Sequence, residues 1–227
     1  MSALLLIAHW DSAEEGDILS GEMLNAVVTP VQYSGPPRRS RSLEERLIVR
    51  FPTLYRRSAA LTFRRLSPRS RLRRALLRRA TISAGAAYYR RDFELALVRY
   101  APDVEYEFNP GLQTLGLGGT FQGHEGMLEA FGKLAEAWES WELEPTYVVD
   151  LGDRLLTLGF NRSHARASGV QLEQEFAQLV TMREGLVAHH IAFFSWEEAL
   201  RAAGLDPDVV ALPARRKTGK AASSATA

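Results

Sequence analysis

The chain has 227 residues, 46% of them hydrophobic, with no cysteine and a net charge of +1. That composition allows one or two globular domains and excludes disulfides, thiolate nucleophiles and cysteine metal sites. The small net charge hides a division: residues 1–37 hold five acids and no Lys or Arg, residues 38–79 fifteen Arg against two acids, and residues 80–212 nine bases against twenty acids.

From the start, the apolar run Leu4–Ala8 is far below the ~18 residues of a membrane span and has no basic segment before it, so a cytoplasmic protein is expected. Residues 1–37 show no sustained period and end in Ser34-Gly35-Pro36-Pro37, which reads as a disordered leader. Residues 38–79 read as an Arg-rich helical arm. Ser42 and Glu45 have capping-box spacing, Pro52 interrupts, and Ser67-Pro68 reads as an N-cap with Pro at the first helical position. Leu72, Ala75, Leu76 and Ala80, then Ile82, Ala86 and Ala87, carry a second helix to about Arg90.

Residues 80–212 read as one domain. Asp92 caps a short helix, Phe93–Tyr100, that Pro102 closes. Residues 104–108 alternate as a half-buried strand, and the Gly-rich stretch 109–123 reads as a loop. From His124, Leu128, Phe131, Ala135 and Trp138 recur at helical spacing, with Glu125, Glu129 and Glu136 on the solvated side. Strands are expected near 142–150, 154–167, 170–183 and 186–194, the last pair joined by the turn at Arg183-Glu184-Gly185. Ser195 caps a final helix that stops at Gly204, and residues 213–227 read as a disordered tail.

Several short stretches resemble one superfamily. Ala87 to Phe93 resembles its "A-x-x-x-x-D-F/L" end of helix one, and Tyr100-Ala101-Pro102-Asp103-Val104 its "x-A-P-D-V" entry to strand one. Phe121-Gln122-Gly123-His124-Glu125-Gly126 resembles "F-x-G-x-E-G", Arg183 to Val187 the "R-D-G-K-V" hairpin, and Glu197 to Leu200 the closing helix. The chain thus resembles uncharacterised bacterial SnoaL-like proteins of the nuclear transport factor 2-like superfamily. The resemblance implies an α+β fold: a cone-shaped, curved antiparallel sheet wrapped around helices (cystatin-like), preceded here by the Arg-rich arm, and enclosing an apolar pocket.

Where the resemblance implies ketosteroid isomerase-like groups, the chain has Ala84, Phe108, and Ala177 or Gln178. The last strand holds no carboxylate, as epoxide-hydrolase relatives would require, and no position matches the pocket Asp of polyketide cyclases. Alternation agrees. Val104, Tyr106 and Phe108 share a face opposite Glu105 and Glu107, and Leu172, Gln174, Phe176, Gln178, Val180 and Met182 share one opposite Glu173 and Glu175. His190, on the face of Ala192 and Phe194, is the candidate catalytic group, with a satisfied core histidine as the bland reading; His164 and His124 are weighed likewise.

The expected ligand-binding set is Tyr106, Phe108, Trp138, Phe160, His164, Phe176, Gln174, Gln178 and Phe194. No cofactor is expected: the loop Leu115 to Thr120 lacks both the P-loop Gly-Lys-Ser/Thr and the third glycine of a dinucleotide fingerprint. No metal is expected, because the adjacent His189 and His190 point to opposite faces. The function expected is binding of a small hydrophobic molecule, by a homodimer joined through the outer sheet face. The alternatives are a lyase, isomerase or cyclase using His190 as base with Gln178 as orienting donor, or a non-catalytic interaction domain with a filled cone. The arm is expected to dock on the acidic domain, in preference to contact with nucleic acid or an anionic membrane.

Overall fold

A computed structural model describes residues 26–108 and 118–208. Strand β1 (Val27–Pro30) precedes three arm helices, α1 (Leu43–Arg50), α2 (Pro52–Arg65) and α3 (Arg71–Arg90). Then follow α4 (Phe93–Leu97), β2 (Tyr100–Phe108), β3 (Gly119–Gln122) and α5 (Gly123–Ala137). The chain continues with β4 (Trp138–Asp150), β5 (Arg154–Ala165), β6 (Gln171–Arg183), β7 (Leu186–Phe193) and α6 (Trp196–Ala202). The seven strands form one sheet in the order β1-β4-β5-β6-β7-β2-β3. Every pairing is antiparallel except β2 with β7, so the α+β cone has a mixed sheet.

The helix signals hold at the level of caps. Ser42 and Glu45 make both halves of the capping box, and Pro52 opens α2 at its first turn. Asp92 accepts from Leu95 N, and Ser195 from Glu198 N. The turn at Glu184 and Gly185 has φ of 54° and 81°, the two left-handed residues of a type I′ hairpin.

Five expectations change. The leader is not wholly disordered: β1 lies within residues 1–37 and pairs with the far end of β4. Ser70, not Ser67, caps α3, while the helix ends at Arg90 as expected. The helix after Asp92 ends at Leu97, and Pro102 sits inside β2, where the β2–β7 register shifts and no ladder donor is required of it. Part of the expected 109–123 loop is β3; residues 109–117, with Leu115 to Leu117, lie outside the described residues, as do 1–25 and 209–227. The buried stripe of α5 is Met127, Ala130, Phe131 and Leu134, while Leu128 is exposed, so the helix presents to the core a face rotated by about one residue from the expected one.

Both sheet faces are covered. Helices α3, α4 and α5 fill the concave side around Tyr106, Phe108, Met127, Phe131 and Leu134. On the convex side α6 lays Trp196, Ala199 and Leu200 over Leu156, Leu158 and Phe160. Gly159 is obligatory at the bend, since a Cβ there would stand 2.2 Å from Glu144 O of the adjoining strand.

The arm is tied to the domain by charge. Arg73, 1% exposed, forks onto Asp150 at the end of β4, with Nε to Oδ2 at 2.7 Å and Nη2 to Oδ1 at 2.8 Å. Arg41 forks onto Asp92, and Arg90 pairs with the buried Glu45 of α1 at 3.0 Å. Helix α2 also packs against the β6–β7 hairpin: a Cβ on Gly185 would meet Ala60 N at 2.3 Å.

Candidate functional site

Between the concave sheet and the arm helices lies a cavity of about 860 Å³. Its floor is the inward row of β4 to β7, including Leu143, Leu155, Thr157, Phe176 and Val180. One wall is the α3 face with Leu77, Ala80 and Ala84, and the roof is α1 and α2 with Leu47, Phe51, Tyr55 and Phe63. Alternation puts the sheet residues inward, and Leu47 of α1, Phe51 at the junction and Tyr55 of α2 face them across the cavity.

One polar line crosses this apolar space. The Tyr88 hydroxyl is 2.9 Å from that of Tyr100, which is 2.8 Å from His190 Nδ1, and the Gln178 side chain hydrogen-bonds Tyr88. Burial raises the Tyr88 pKa to about 12 and that of Tyr100 well above its ordinary value, so both phenols are neutral. Burial pushes His190 down to about 3, with the neighbouring His189 adding to the effect, and the imidazole is neutral too. His190 Nε2 has no hydrogen-bond partner among the described residues. The site can therefore orient a ligand by neutral hydrogen bonds; a base near neutral pH needs a pKa much closer to 7.

Of the residues expected from sequence, Phe176, Gln178 and His190 meet at the cavity. Tyr106 and Phe108 are buried in the narrow end instead, packed edge-on against each other at 5.1 Å. Trp138 belongs to the same cluster, and Phe194 packs against it with its ring 6.1 Å from Phe176. Gln174 faces inward beside Asn161 but outside the cavity lining. Two residues lie on the wrong side. Phe160 points to the convex face, 5.2 Å from the Trp196 ring, and His164 is on that face too, 2.9 Å from Glu139. The cause is parity: in β5 it is Thr157, Gly159 and Asn161 that face inward, and the apolar Phe160 serves the α6 side.

The carboxylates of β2 and β6 do point away from the cavity. Glu175 accepts from Trp196 N, Glu173 pairs with Arg162, and Glu107 meets His189 at 3.1 Å. Sequence reasoning missed that Glu105, Glu107 and His189 gather there with ligating atoms within 4.8 Å of one another, because it did not foresee the parallel β2–β7 pairing that sets Glu105 opposite His189. It also missed Tyr88, Tyr100, Arg99 and the whole roof. The Leu43, Leu47, Ile48 and Phe51 spacing was the available signal for the roof.

A family model described as "SnoaL-like domain" matches residues 84–190. Residues 84–190 are thus similar to a SnoaL-like domain. The match leaves α1, α2 and most of α3 outside, so the roof lies outside the matched residues. No curated protein matches the chain. Among solved structures, TerC co-crystallised with polyporic acid is 27% identical, aligned over 56% of this chain and 95% of its own, with a TM-score of 0.48. A Burkholderia pseudomallei NTF2-like protein of unknown function is 25% identical over 54% and 93%, TM-score 0.48. A putative polyketide cyclase from Xanthomonas campestris is 14% identical over 63% and 95%, TM-score 0.44.

Proposed function

We propose that this chain binds a small, largely apolar molecule between its SnoaL-like sheet and its arm helices. One observation carries the reading: a cavity of about 860 Å³, within the 300–1,000 Å³ typical of ligand sites, lined mainly by aliphatic and aromatic side chains with a few convergent polar groups. In this reading the Arg-rich arm roofs the site, in preference to reaching for nucleic acid or a membrane. A filled-cone interaction domain is disfavoured because aromatics pack only the narrow end. The enzyme reading, a lyase, isomerase or cyclase, rests on His190 with its unpartnered Nε2; the depressed pKa argues for an orienting role over a base.

The test is fluorescence titration with the neutral probe N-phenyl-1-naphthylamine. Ala80 and Ala84 stand one turn apart on the α3 wall. The double variant Ala80→Trp/Ala84→Trp should weaken probe binding at least about tenfold while circular dichroism is retained. Unchanged affinity, or no binding by the parent chain, rejects the reading.

A further inference from the structure

Arg99, between α4 and β2, is a buried cation on the cavity wall, 8% exposed. Its Nη1 donates to Leu95 O at 3.2 Å and its Nη2 to Ser83 Oγ at 2.9 Å. Its Nε finds no acceptor among the described residues, and the guanidinium stands 6.0 Å from the ring centroid of Tyr55 in the roof. The other buried arginines each have a carboxylate: Arg73 has Asp150 and Arg90 has Glu45. Arg99 forms no ion pair among the described residues. The acid in its network is one hydroxyl removed, because Ser83 donates to Glu45 Oε1 at 2.9 Å, and that oxygen already accepts from Arg90.

The groups around Arg99 supply no counter-charge. Its positive field reaches both Tyr88 and Tyr100, yet burial outweighs it and keeps the two phenols protonated. His190 is neutral for the same reason. The carboxylates that line the cavity, Glu44 and Glu144, are taken up by Arg79 and Arg162. A buried guanidinium without an anion of its own is unfavourable, and it is well matched in shape to a planar acid that takes two parallel hydrogen bonds. We infer that the cavity selects an amphipathic acid, an apolar body bearing one carboxylate or similarly acidic group, and that Arg99 anchors that group beside the Tyr88–Tyr100 hydroxyls. The inference rests on the cavity-binding reading and goes beyond it by fixing the ligand's charge.

A matched pair of probes tests it on the full chain: 8-anilino-1-naphthalenesulfonate and N-phenyl-1-naphthylamine share the apolar body and differ by the anionic group. The parent chain should bind the sulfonate about tenfold or more tighter than the neutral probe. Arg99→Met should remove that preference while leaving the neutral probe's affinity within about twofold, and Arg99→Lys should retain part of it. Ala80→Trp/Ala84→Trp should weaken both probes, which separates the cavity from sulfonate binding to surface arginines. Equal affinities in the parent chain, or a preference that survives Arg99→Met, overturns the anchor while leaving the cavity reading intact. Failure of both probes to bind rejects the cavity reading itself. Should Arg99→Met not fold, the parent ratio and Arg99→Lys still decide.

Discussion

Replacing Asp150 by Ala tests whether the arm is a structural part of the site. Asp150 and Arg73 are each 1% exposed, and the pair is bidentate. The rest of the guanidinium is also committed: Nη1 donates to Leu66 O at 2.9 Å, Nη2 to Gly152 O, and the group lies 4.6 Å from the Phe63 ring centroid. The alanine therefore strands a buried cation, a change worth about 3–5 kcal/mol. For a chain of this size each kcal/mol moves the melting temperature by about 2–4 °C, so the expected drop is roughly 6–20 °C. Arg73→Met/Asp150→Ala removes both charges and should recover much of the loss, so the double variant loses far less than the sum of the Arg73→Met and Asp150→Ala losses. Differential scanning calorimetry reads all four proteins. A drop under about 2 °C for Asp150→Ala, or additive single effects, refutes the claim that this pair is buried and joins α3 to β4.

Three further outcomes follow from other parts of the structure. His190 has its pKa lowered from 6.5 to about 3, so between those values the unfolded chain binds a proton that the folded chain does not. Stability should thus fall on acidification through that window, by up to about 1.4 kcal/mol per pH unit. His190→Gln should flatten the slope between pH 6 and 4 in urea titrations, and parallel profiles would contradict the burial. Below about pH 4 a second loss should set in. Asp92 is held below its ordinary value by Arg41, and Glu45, despite burial, by the Ser42 N–H, Arg90 and Ser83; both lose their partners on protonation. Gly185→Ala should destabilise by more than the ~1–2 kcal/mol of a left-handed residue, because the new Cβ meets the α2 backbone. Limited trypsinolysis should speed up at Arg56 and Arg57; unchanged cleavage would mean that α2 does not rest on the hairpin.

Legibility tracked locality. Caps, turns and strand spans depend on a few adjacent residues, so Ser42, Asp92, Ser195 and the Glu184-Gly185 turn could be read directly. Side-chain direction within a strand is also local, and Phe176, Gln178 and His190 share the face that lines the cavity. Which apolar face was the inner one could not always be read. Alternation shows that Phe160 opposes Gly159, but not that α6 would make the convex side apolar too. The parallel β2–β7 pairing sets Glu105 opposite His189, 84 positions on, and nothing local announces it. The cavity's polar line suffered likewise. Tyr88 looks like one more residue of a helix end and Tyr100 like a strand start, and only the fold brings them to His190.

The charge division of the chain takes on a structural meaning through the roof. Arg41, Arg64 and Arg73 of the arm end on Asp92, Glu184 and Asp150 of the acidic part, while Arg90 returns the contact to Glu45. The two unlike halves are therefore complementary to one another, and the buried members of these pairs are withdrawn from any outside polyanion. The apolar side of the arm is only partly satisfied by this docking, since Leu47, Phe51 and Leu54 stay about half exposed or more beside the cavity they line. A molecule in the cavity would cover part of that surface and touch arm and sheet at once. Under the proposed function, ligand binding and arm docking are consequently one linked equilibrium. A ligand present at a hundred times its dissociation constant would hold the arm down by about 2.7 kcal/mol, comparable to losing a good part of the Arg73–Asp150 pair. An arm built from short, charged helices gains from that linkage, because α1 and α2 alone are too short to be stable in water.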